Sequence, residues 1–297
     1  MKILVTGSNG LLGQKLTDLL SDKPQIRLFA TARGSSLLPI TGYDFSVLDI
    51  SDKEQVDNVV AKHKPDVIIN AAAMTQVDHC ETDHDACYKA NVVGVQNVID
   101  ACAANNIHLV HVSTDFIFDG TKSMLVESDQ PNPVNYYGKS KLDGELLIQQ
   151  SDISSCIIRT VLVYGITSDL SRSNIVVWVK NSLEAGKTIK VVSDQHRTPT
   201  LAEDLASACF LAAEKRAQGI YHVSGKDFMS VYEIAVRSAR FFNLDSSLIS
   251  PVDSSTFIQP GRRPLITGFN IDKAKRELGF APHSFEEGLA LLASQMG

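Results

Sequence analysis

The segment Asn135–Lys141, NYYGKSK, places two tyrosines ahead of a lysine at helical spacing. A free phenol has a pKa near ~10 and exchanges protons poorly at neutral pH, whereas a neighbouring ammonium favours the phenolate and lowers that pKa. Residues i and i+4 share one face of a helix, so Tyr137 faces Lys141 and Tyr136 faces Ser140. The segment predicts either an acid–base pair or, because this spacing is common by chance, an ordinary helix start with solvated lysines.

A strand-like stretch ahead of this segment ends in polar side chains. HLVHVS runs into Ser113, Thr114 and Asp115. In open α/β sheets, ligands bind at the carboxyl ends of the strands. A hydroxyl at this place could hydrogen-bond a carbonyl oxygen beside the tyrosine.

Three glycines follow the first predicted strand and open the first predicted helix. VTGSNGLLG holds Gly7, Gly10 and Gly13, at the spacing G-x-x-G-x-x-G rather than the commoner G-x-G-x-x-G. Glycine allows a tight turn and a close backbone approach to a pyrophosphate, and the helix N-terminus offers N–H groups to the phosphates. The alternative is a strand–turn–helix connection that merely needs glycine.

The residue about 20 positions beyond such a motif usually contacts the adenosine ribose. Arg33 occupies that place, with no acidic residue near. A guanidinium attracts a 2′-phosphate, so NADPH is predicted as the preferred cofactor, with NADH as an open alternative. The alternative for Arg33 is a solvated loop arginine. Asp49 and Ile50, after the next strand, could hold the adenine, or they could precede a helix cap at Ser51 or Asp52.

Short apolar runs alternate with longer amphipathic stretches. KILVTG, IRLFATA, DVIINAAA, HLVHVS and SCIIRTVLVYG are separated by helix-like segments such as GLLGQKLTDLLSD. Apolar strands with helical crossovers are typical of parallel sheets. The pattern predicts an α/β fold with a Rossmann-like doubly wound parallel sheet over residues 1–165, with returns near 200–225. Residues 166–297, which begin within the polar stretch GITSDLSRSN, are predicted to form largely a smaller, interleaved C-terminal substrate lobe.

The composition narrows the class of protein. The chain has 297 residues, is 44% hydrophobic and carries a net charge of −6, with scattered basic residues that predict no nucleic-acid partner. No apolar run approaches the ~20 residues of a membrane helix, and MKILVTGSNG does not resemble a signal peptide. The five cysteines have irregular spacing, which favours a reduced, cytoplasmic protein.

Taken together, these motifs resemble a known superfamily. The glycine motif, NAAA at 70–73, Thr114 and Tyr137-x-x-x-Lys141 are similar in order and spacing to the extended short-chain dehydrogenases/reductases. Within that superfamily, the chain resembles the dTDP-4-dehydrorhamnose reductase family in MTQVDHCE, VSTDFIFDG, NYYGKSKLDGE, IIRTVLVYG, DQHRTPTLAEDLA and the C-terminal RRP…NIDKAKRELGF…SFEEGL. The resemblance extends over nearly the whole chain.

The resemblance implies NADPH-dependent reduction of the C4 keto group of a nucleotide-activated 6-deoxy sugar, in dTDP-L-rhamnose synthesis. It implies that Tyr137 donates the proton, that Lys141 binds the nicotinamide ribose and lowers the tyrosine pKa, that Thr114 binds the carbonyl oxygen and that Asp115 contacts the sugar. The spacing and the resemblance together predict these cofactor-binding residues: Gly7, Asn9, Gly10, Leu11, Leu12, Gly13, Arg33, Asp49, Ile50, Ala71, Ala72, Ala73, Val112, Tyr137 and Lys141.

The chain departs from the family pattern on the substrate side. Phe116 stands where tyrosine is common, Leu162 where some members have tryptophan, and RRPLITGFNID differs from the usual RRPxNSxLD. These departures put the particular sugar in doubt. Some members bind magnesium through a glutamate after the third glycine, but this chain has Gln14 and Lys15 there, so no metal is predicted.

Two further clusters have alternative explanations. Arg263, in QPGRRP, could clamp a diphosphate, since arginine suits that geometry, or it could lie in a turn with solvated arginines. His79, Cys80, His84 and Cys87 resemble a zinc cluster, but no C-x₂₋₄-C pair accompanies them, and a polar rim leading into a helix is favoured.

Two classes of function remain. The first is an active reductase of a nucleotide sugar, which predicts a small-molecule partner and leaves a homodimer open. The second is a non-catalytic NADP-binding regulatory subunit like the methionine adenosyltransferase β-subunit. A reductase or epimerase for another sugar nucleotide is a further alternative.

Overall fold

The chain folds around a seven-stranded parallel sheet. The computed structural model describes residues 1–39, 41–167 and 174–296, so the centre of the predicted irregular stretch 165–174 lies outside the described residues. The strands are β1 (Lys2–Thr6), β2 (Arg27–Ala32), β3 (Asp44–Val47), β4 (Val67–Asn70), β5 (His108–Thr114), β6 (Ser155–Thr160), β7 (Val163–Tyr164), β8 (Ile189–Val192), β9 (His196–Arg197), β10 (Thr200–Leu201), β11 (Gly219–His222), β12 (Met229–Ser230) and β13 (Ile249–Val252).

Helices connect these strands on both sides of the sheet. They are α1 (Leu11–Ser21), α2 (Lys53–His63), α3 (Val77–Thr82), α4 (His84–Tyr88), α5 (Gly94–Asn105), α6 (Tyr136–Gln150), α7 (Ile175–Glu184), α8 (Ala202–Glu214), α9 (Val231–Phe241) and α10 (Phe285–Ser294). Short 3₁₀ turns cover Asp115–Ile117, Ser246–Leu248 and Ser254–Thr256, and π-helical turns cover Lys89–Val93 and Ala274–Leu278.

The order of the central sheet is β11-β6-β5-β4-β1-β2-β3, with every pairing parallel. The order reverses between β1 and β4, so a crevice opens at their carboxyl ends, where dinucleotides bind in such folds. The predicted Rossmann-like doubly wound sheet is therefore confirmed.

The two faces of the sheet carry separate cores. Along β1, Leu4 packs on one face against α2 and α5, whereas Ile3 and Val5 pack on the other against α1 and α8. Successive side chains of a strand point to opposite faces, so an apolar run such as KILVTG fills both cores. Burial on both sides holds the strand ends, and hence the site, in fixed positions.

The C-terminal part builds a smaller lobe and also returns to the sheet. Helices α7 and α9 pack with β8 and β13 around a core of their own. The edge strand β11 pairs with β6, so residues 219–222 complete the central sheet. Ile266 forms isolated bridges with Thr121 and His196, which brings the segment after Arg263 beside the end of β5.

None of the helices in the described ranges has the length and apolarity needed to cross a membrane.

Candidate active site

A glycine cradle lies where β1 runs into α1. Gly7 has φ = +71°, a conformation that favours glycine, and a Cβ there would lie 2.9 Å from Cα of Ala72. A Cβ on Gly13 would collide with the carbonyl oxygen of Gly7. No side chain caps α1 at Gly10, so its first N–H groups are available to an anion. These features fit a dinucleotide pyrophosphate. Leu11, Leu12, Ala71 and Ala73 are half-buried, and their contacts with the cofactor stay a prediction.

The loop after β2 is braced by a residue of the cradle. The Asn9 side chain donates to the Ser35 carbonyl at 2.9 Å and accepts from the Leu37 N–H at 3.0 Å. Arg33, in the same loop, is exposed and makes no hydrogen bond or ion pair with any described residue. Its guanidinium is thus available to a 2′-phosphate, and the contact itself stays a prediction.

The predicted adenine contacts also have local structural roles. The Asp49 carboxylate accepts from the Ser51 N–H at 2.9 Å and from the Ser51 hydroxyl at 2.7 Å. Asp52 caps α2 by accepting from the N–H of Gln55. Ile50 is buried. The cap that was the alternative explanation is present, and an adenine contact at Asp49 and Ile50 stays a prediction.

Thr114, Tyr137 and Lys141 come together at the carboxyl end of β5. Their exposed fractions are 6%, 8% and 2%, respectively. Thr114 ends β5, and α6 carries the other two residues one turn apart. Burial raises the pKa of Tyr137, and a hydrogen bond with Thr114 opposes that shift. The phenol is therefore protonated at neutral pH and can donate a proton.

Lys141 is held by a backbone carbonyl and lies beside a buried histidine. Its Nζ donates to the Val112 carbonyl at 2.8 Å and lies 3.2 Å from Nε2 of His111. Burial lowers the pKa of Lys141 to about 8 and also raises that of Tyr137. Desolvation of the phenolate is the largest cause of the raised pKa of Tyr137, and a role of Lys141 in lowering that pKa stays a prediction.

A chain of side-chain hydrogen bonds crosses the strand ends to reach Lys141. Thr6 donates to Asn70 at 2.6 Å, and the Asn70 amide lies 3.1 Å from Nδ1 of His111, whose other nitrogen faces Lys141. The Ala72 N–H donates to the Thr6 hydroxyl at 3.2 Å. Sequence reasoning missed His111, although a histidine inside an apolar strand needs a partner and is itself a signal.

A second hydrogen-bond network, which sequence reasoning also missed, holds α6 in place. The Asn91 amide donates to the Ser140 hydroxyl at 3.0 Å and to the Met74 carbonyl at 3.0 Å, and it accepts from the Met74 N–H at 2.9 Å. Ser140 lies between Tyr137 and Lys141 in sequence. Asn91 therefore ties the loop after β4 to the helix that carries the site.

Asp115 is turned into the protein. It is 2% exposed, its carboxylate accepts from the hydroxyls of Thr114 and Thr267, and Nε of Arg197 lies 3.8 Å away. Burial raises the pKa of Asp115, while Arg197 opposes that shift. The carboxylate thus has protein partners, and the predicted contact with a sugar stays a prediction.

Arg263 is already paired. Its guanidinium makes a bidentate contact with Asp78 at 2.5 and 2.7 Å, and it also donates to the Gly261 carbonyl at 2.5 Å. The alternative of a solvated turn arginine is wrong for Arg263, because only 18% of its side chain is exposed. A diphosphate would have to share or replace Asp78.

Phe116, which departs from the family pattern, makes an aromatic contact with Tyr137. The Phe116 ring meets Tyr137 edge-on at 5.8 Å between centroids, and the Arg197 guanidinium lies 5.8 Å from the Phe116 centroid. Leu162, the second departure, has φ = +35°. Compared with a tyrosine, the phenylalanine at position 116 leaves no hydroxyl on the ring that contacts Tyr137.

The histidine and cysteine side chains after β4 do not converge. Cys80 and Cys87 are buried with Tyr137, whereas His79 is exposed and the exposed His84 stacks on Tyr136 at 3.7 Å between centroids. Within the described residues, no group of three or more acidic, histidine or cysteine side chains could hold a metal ion.

Comparisons with known proteins show similarity in both sequence and structure. The chain is 32% identical over 303 residues to dTDP-4-dehydrorhamnose reductase of Aggregatibacter actinomycetemcomitans, covering 97% of each. It is 32% identical over 262 residues to methionine adenosyltransferase 2 subunit beta of Rattus norvegicus, covering 86% of this chain and 77% of that one. The crystal structure of a dTDP-4-dehydrorhamnose reductase from Bacillus anthracis in complex with NADP superposes with a TM-score of 0.85 at 30% identity, covering 99% of each chain.

The family assignment follows from these similarities and from the site. The model of the RmlD substrate binding domain matches residues 1–297. The resemblance seen in the motifs is confirmed, since the glycine cradle and the Thr114–Tyr137–Lys141 cluster lie where the sheet order predicts a ligand crevice. The chain belongs to the RmlD substrate binding domain family, within the extended short-chain dehydrogenases/reductases.

Proposed function

We propose that this protein reduces the C4 keto group of a dTDP-activated 6-deoxy sugar with NADPH, as a dTDP-4-dehydrorhamnose reductase does. The observation that carries the proposal is the burial of Thr114, Tyr137 and Lys141 together beside the glycine cradle. Members of this family are sugar-nucleotide oxidoreductases that use NAD(P)H, and a relative of 30% identity is known in complex with NADP. The exposed Arg33 supports NADPH over NADH.

The residues divide the work by their chemistry. NADPH, when bound, supplies the hydride. Tyr137 is held protonated by burial and donates its proton to the carbonyl oxygen as negative charge develops there. The Thr114 hydroxyl, hydrogen-bonded with Tyr137, orients the same oxygen. Lys141 is held by the Val112 carbonyl, and its ammonium binds the nicotinamide ribose and stabilises the phenolate that proton donation leaves behind.

The similarity to methionine adenosyltransferase 2 subunit beta supports a second candidate, a regulatory subunit that binds NADP without turnover. The intact triad favours the enzyme, because a binding subunit needs no proton donor buried beside the cofactor cradle.

The deciding experiment measures NADPH oxidation with a panel of 4-keto-6-deoxy sugar nucleotides that carry dTDP, UDP or GDP. We expect turnover with the dTDP-linked sugar and much slower turnover with the others. Tight NADPH binding with no turnover of any member of the panel would overturn the proposal and favour the regulatory subunit. Turnover of only the UDP or GDP sugar would keep the reductase chemistry and change the substrate.

A further inference from the structure

We propose that Thr267 and Arg197, two residues of the C-terminal part of the chain, are positioning residues that hold the Thr114 hydroxyl through the Asp115 carboxylate. The inference rests on the proposed reduction, in which Thr114 binds the carbonyl oxygen. Spacing singled out neither residue, because Arg197 lies 83 positions and Thr267 lies 153 positions beyond Thr114 in the sequence.

The residues of the network are buried. The hydroxyl of Thr267 donates to Oδ2 of Asp115, and the hydroxyl of Thr114 donates to Oδ1 at 3.1 Å. Nε of Arg197 lies 3.8 Å from Oδ2. Thr267 has no exposed surface, and Asp115 and Arg197 are each 2% exposed. In such surroundings the partners of the carboxylate decide its orientation, since water cannot replace them.

The Thr114 hydroxyl has a single proton, so it donates to one acceptor at a time. To donate to a substrate carbonyl, Thr114 must turn its proton away from Asp115. A buried carboxylate that loses a donor is strongly destabilised unless others remain. Thr267 and Arg197 are the donor and the charge that remain on Asp115, so they lower the cost of releasing the Thr114 proton to the substrate.

Arg197 also fixes the segment that carries Thr267. Its NH2 group donates to the Pro264 carbonyl at 2.7 Å, and its NH1 group donates to the carbonyls of Leu265 at 2.9 Å and His196 at 2.8 Å. These bonds attach the 264–267 segment to β9 and aim the Thr267 hydroxyl at Asp115. One arginine therefore holds both the carboxylate and its second donor.

The main test replaces Thr267 by valine, which keeps the branched shape and removes the hydroxyl. We expect kcat to fall by about 10- to 100-fold, as misplacement of a catalytic group does, with NADPH affinity unchanged. The primary deuterium isotope effect from 4-deuterated NADPH should rise, because hydride transfer becomes slower. Thr267→Ser should restore both values. Wild-type kcat and isotope effect in Thr267→Val would overturn the proposal.

The control is Ser238→Ala, which removes a buried hydroxyl that donates to the Ile234 carbonyl at 2.8 Å in α9. It should lower stability without changing kcat or the isotope effect. An equal fall of kcat in the control would show that any lost buried hydroxyl has this effect, and it would also overturn the proposal.

A mutant cycle with Thr114→Val isolates the route of the effect. If Thr267 acts through Thr114, Thr267→Val should cost little further activity in the Thr114→Val background. Additive losses would contradict the proposal. A crystal structure of Thr267→Val gives a readout without turnover: we expect the carboxylate of Asp115 and the hydroxyl of Thr114 to turn, and unchanged positions would refute the network. If the wild-type protein reduces no sugar nucleotide, the proposed function fails and this structural result still decides the network.

Discussion

Tyr137 and Tyr136 are neighbours with different surroundings. Tyr137 is buried with Thr114 and Lys141. Tyr136 is half-buried, stacks on His84 and donates its backbone N–H to the Glu81 carboxylate. Adjacent residues on a helix point about 100° apart, so only one of the two phenols can reach the site. The face of α6 on which each tyrosine lies therefore makes Tyr137, and not Tyr136, the proposed proton donor.

Replacing each tyrosine by phenylalanine separates these two positions. Tyr137→Phe should lower kcat by about 10²- to 10⁴-fold, the usual worth of general acid catalysis, and leave NADPH binding intact. Tyr136→Phe should change kcat far less. Both variants are measured on the sugar that the panel identifies. Near wild-type turnover in Tyr137→Phe would end the mechanism proposed here.

Activity should depend on pH through Lys141. Burial lowers the pKa of its ammonium to about 8, so kcat/KM for NADPH should fall as the pH rises above about 8 and the charge that binds the ribose is lost. An unfolded lysine titrates near ~10.4. The unfolded state thus binds more protons between these values, and the free energy of unfolding gains from Lys141 as the pH rises from about 8 to about 10. A flat kcat/KM between pH 7 and pH 10 would contradict this assignment.

Cofactor preference should depend on Arg33. The guanidinium is exposed and unpaired among the described residues, so Arg33→Ala should weaken NADPH binding and leave NADH binding nearly unchanged. Fluorescence titration with both nucleotides measures the ratio of affinities. Lys139→Ala, which removes an exposed cation on α6 paired with Asp143, is the charge-matched control and should leave the ratio unchanged. Tighter binding of NADH than NADPH by the wild-type protein would refute the role.

At the scale of elements, the amino end of α6 contacts the loop that carries Arg263. Asn135 caps the helix by accepting from the Gly138 N–H at 2.7 Å, and its amide donates to the Arg262 carbonyl at 2.7 Å. One side chain thus sets the start of the helix and anchors the loop that carries Arg263. Its two bonds use different atoms and can be removed separately.

Asn135→Ala should lower the free energy of unfolding by about 1 kcal/mol through the lost cap. Asn135→Ser keeps a capping oxygen, so it should recover most of that stability while still lacking the bond to Arg262. If the bond to Arg262 matters for substrate, both variants should raise KM for the sugar nucleotide. Denaturant unfolding and steady-state kinetics test the two effects, and Ser284→Ala, at the cap of α10, controls for loss of a cap far from the site. An unchanged KM in both variants would confine Asn135 to capping.

At the scale of the whole molecule, the C-terminal segments reach back to the first half of the chain. Arg263 pairs with Asp78 of α3, and Thr267 bonds Asp115 after β5. The first half of the chain supplies the glycine cradle and, on α6, the proposed proton donor, and we expect these returning segments to form the other side of the site. Substrate specificity should therefore depend on contacts that join distant parts of the sequence.

Comparing Arg263→Ala with Asp78→Asn tests how Arg263 acts. If Arg263 binds a diphosphate, Arg263→Ala should raise KM for the sugar nucleotide about tenfold or more, the worth of one charge-assisted contact. NADPH affinity should not change. Asp78→Asn frees the guanidinium and should leave KM unchanged or lower it. Equal increases of KM in both variants would show that the pair only ties the loop to α3.

Much of the fold follows from local pattern. Continuous apolar runs separated by helix-like segments are typical of parallel sheets, so the Rossmann-like core and the glycine turn at Gly7, Gly10 and Gly13 could be predicted. The spacing also singled out Tyr137, which is the buried one of the two tyrosines, because helix geometry is set by the backbone. Its role as proton donor stays a prediction.

Only the tertiary structure decided how the site is held and charged. His111, Arg197 and Thr267 reach their partners through long-range contacts, which no local spacing encodes. Burial raises the pKa of Tyr137, so that pKa depends on how completely folding removes water from the phenol. Local sequence determined which groups were present and which helix face carried them, whereas packing determined their burial and their partners, because both depend on residues far away in the chain.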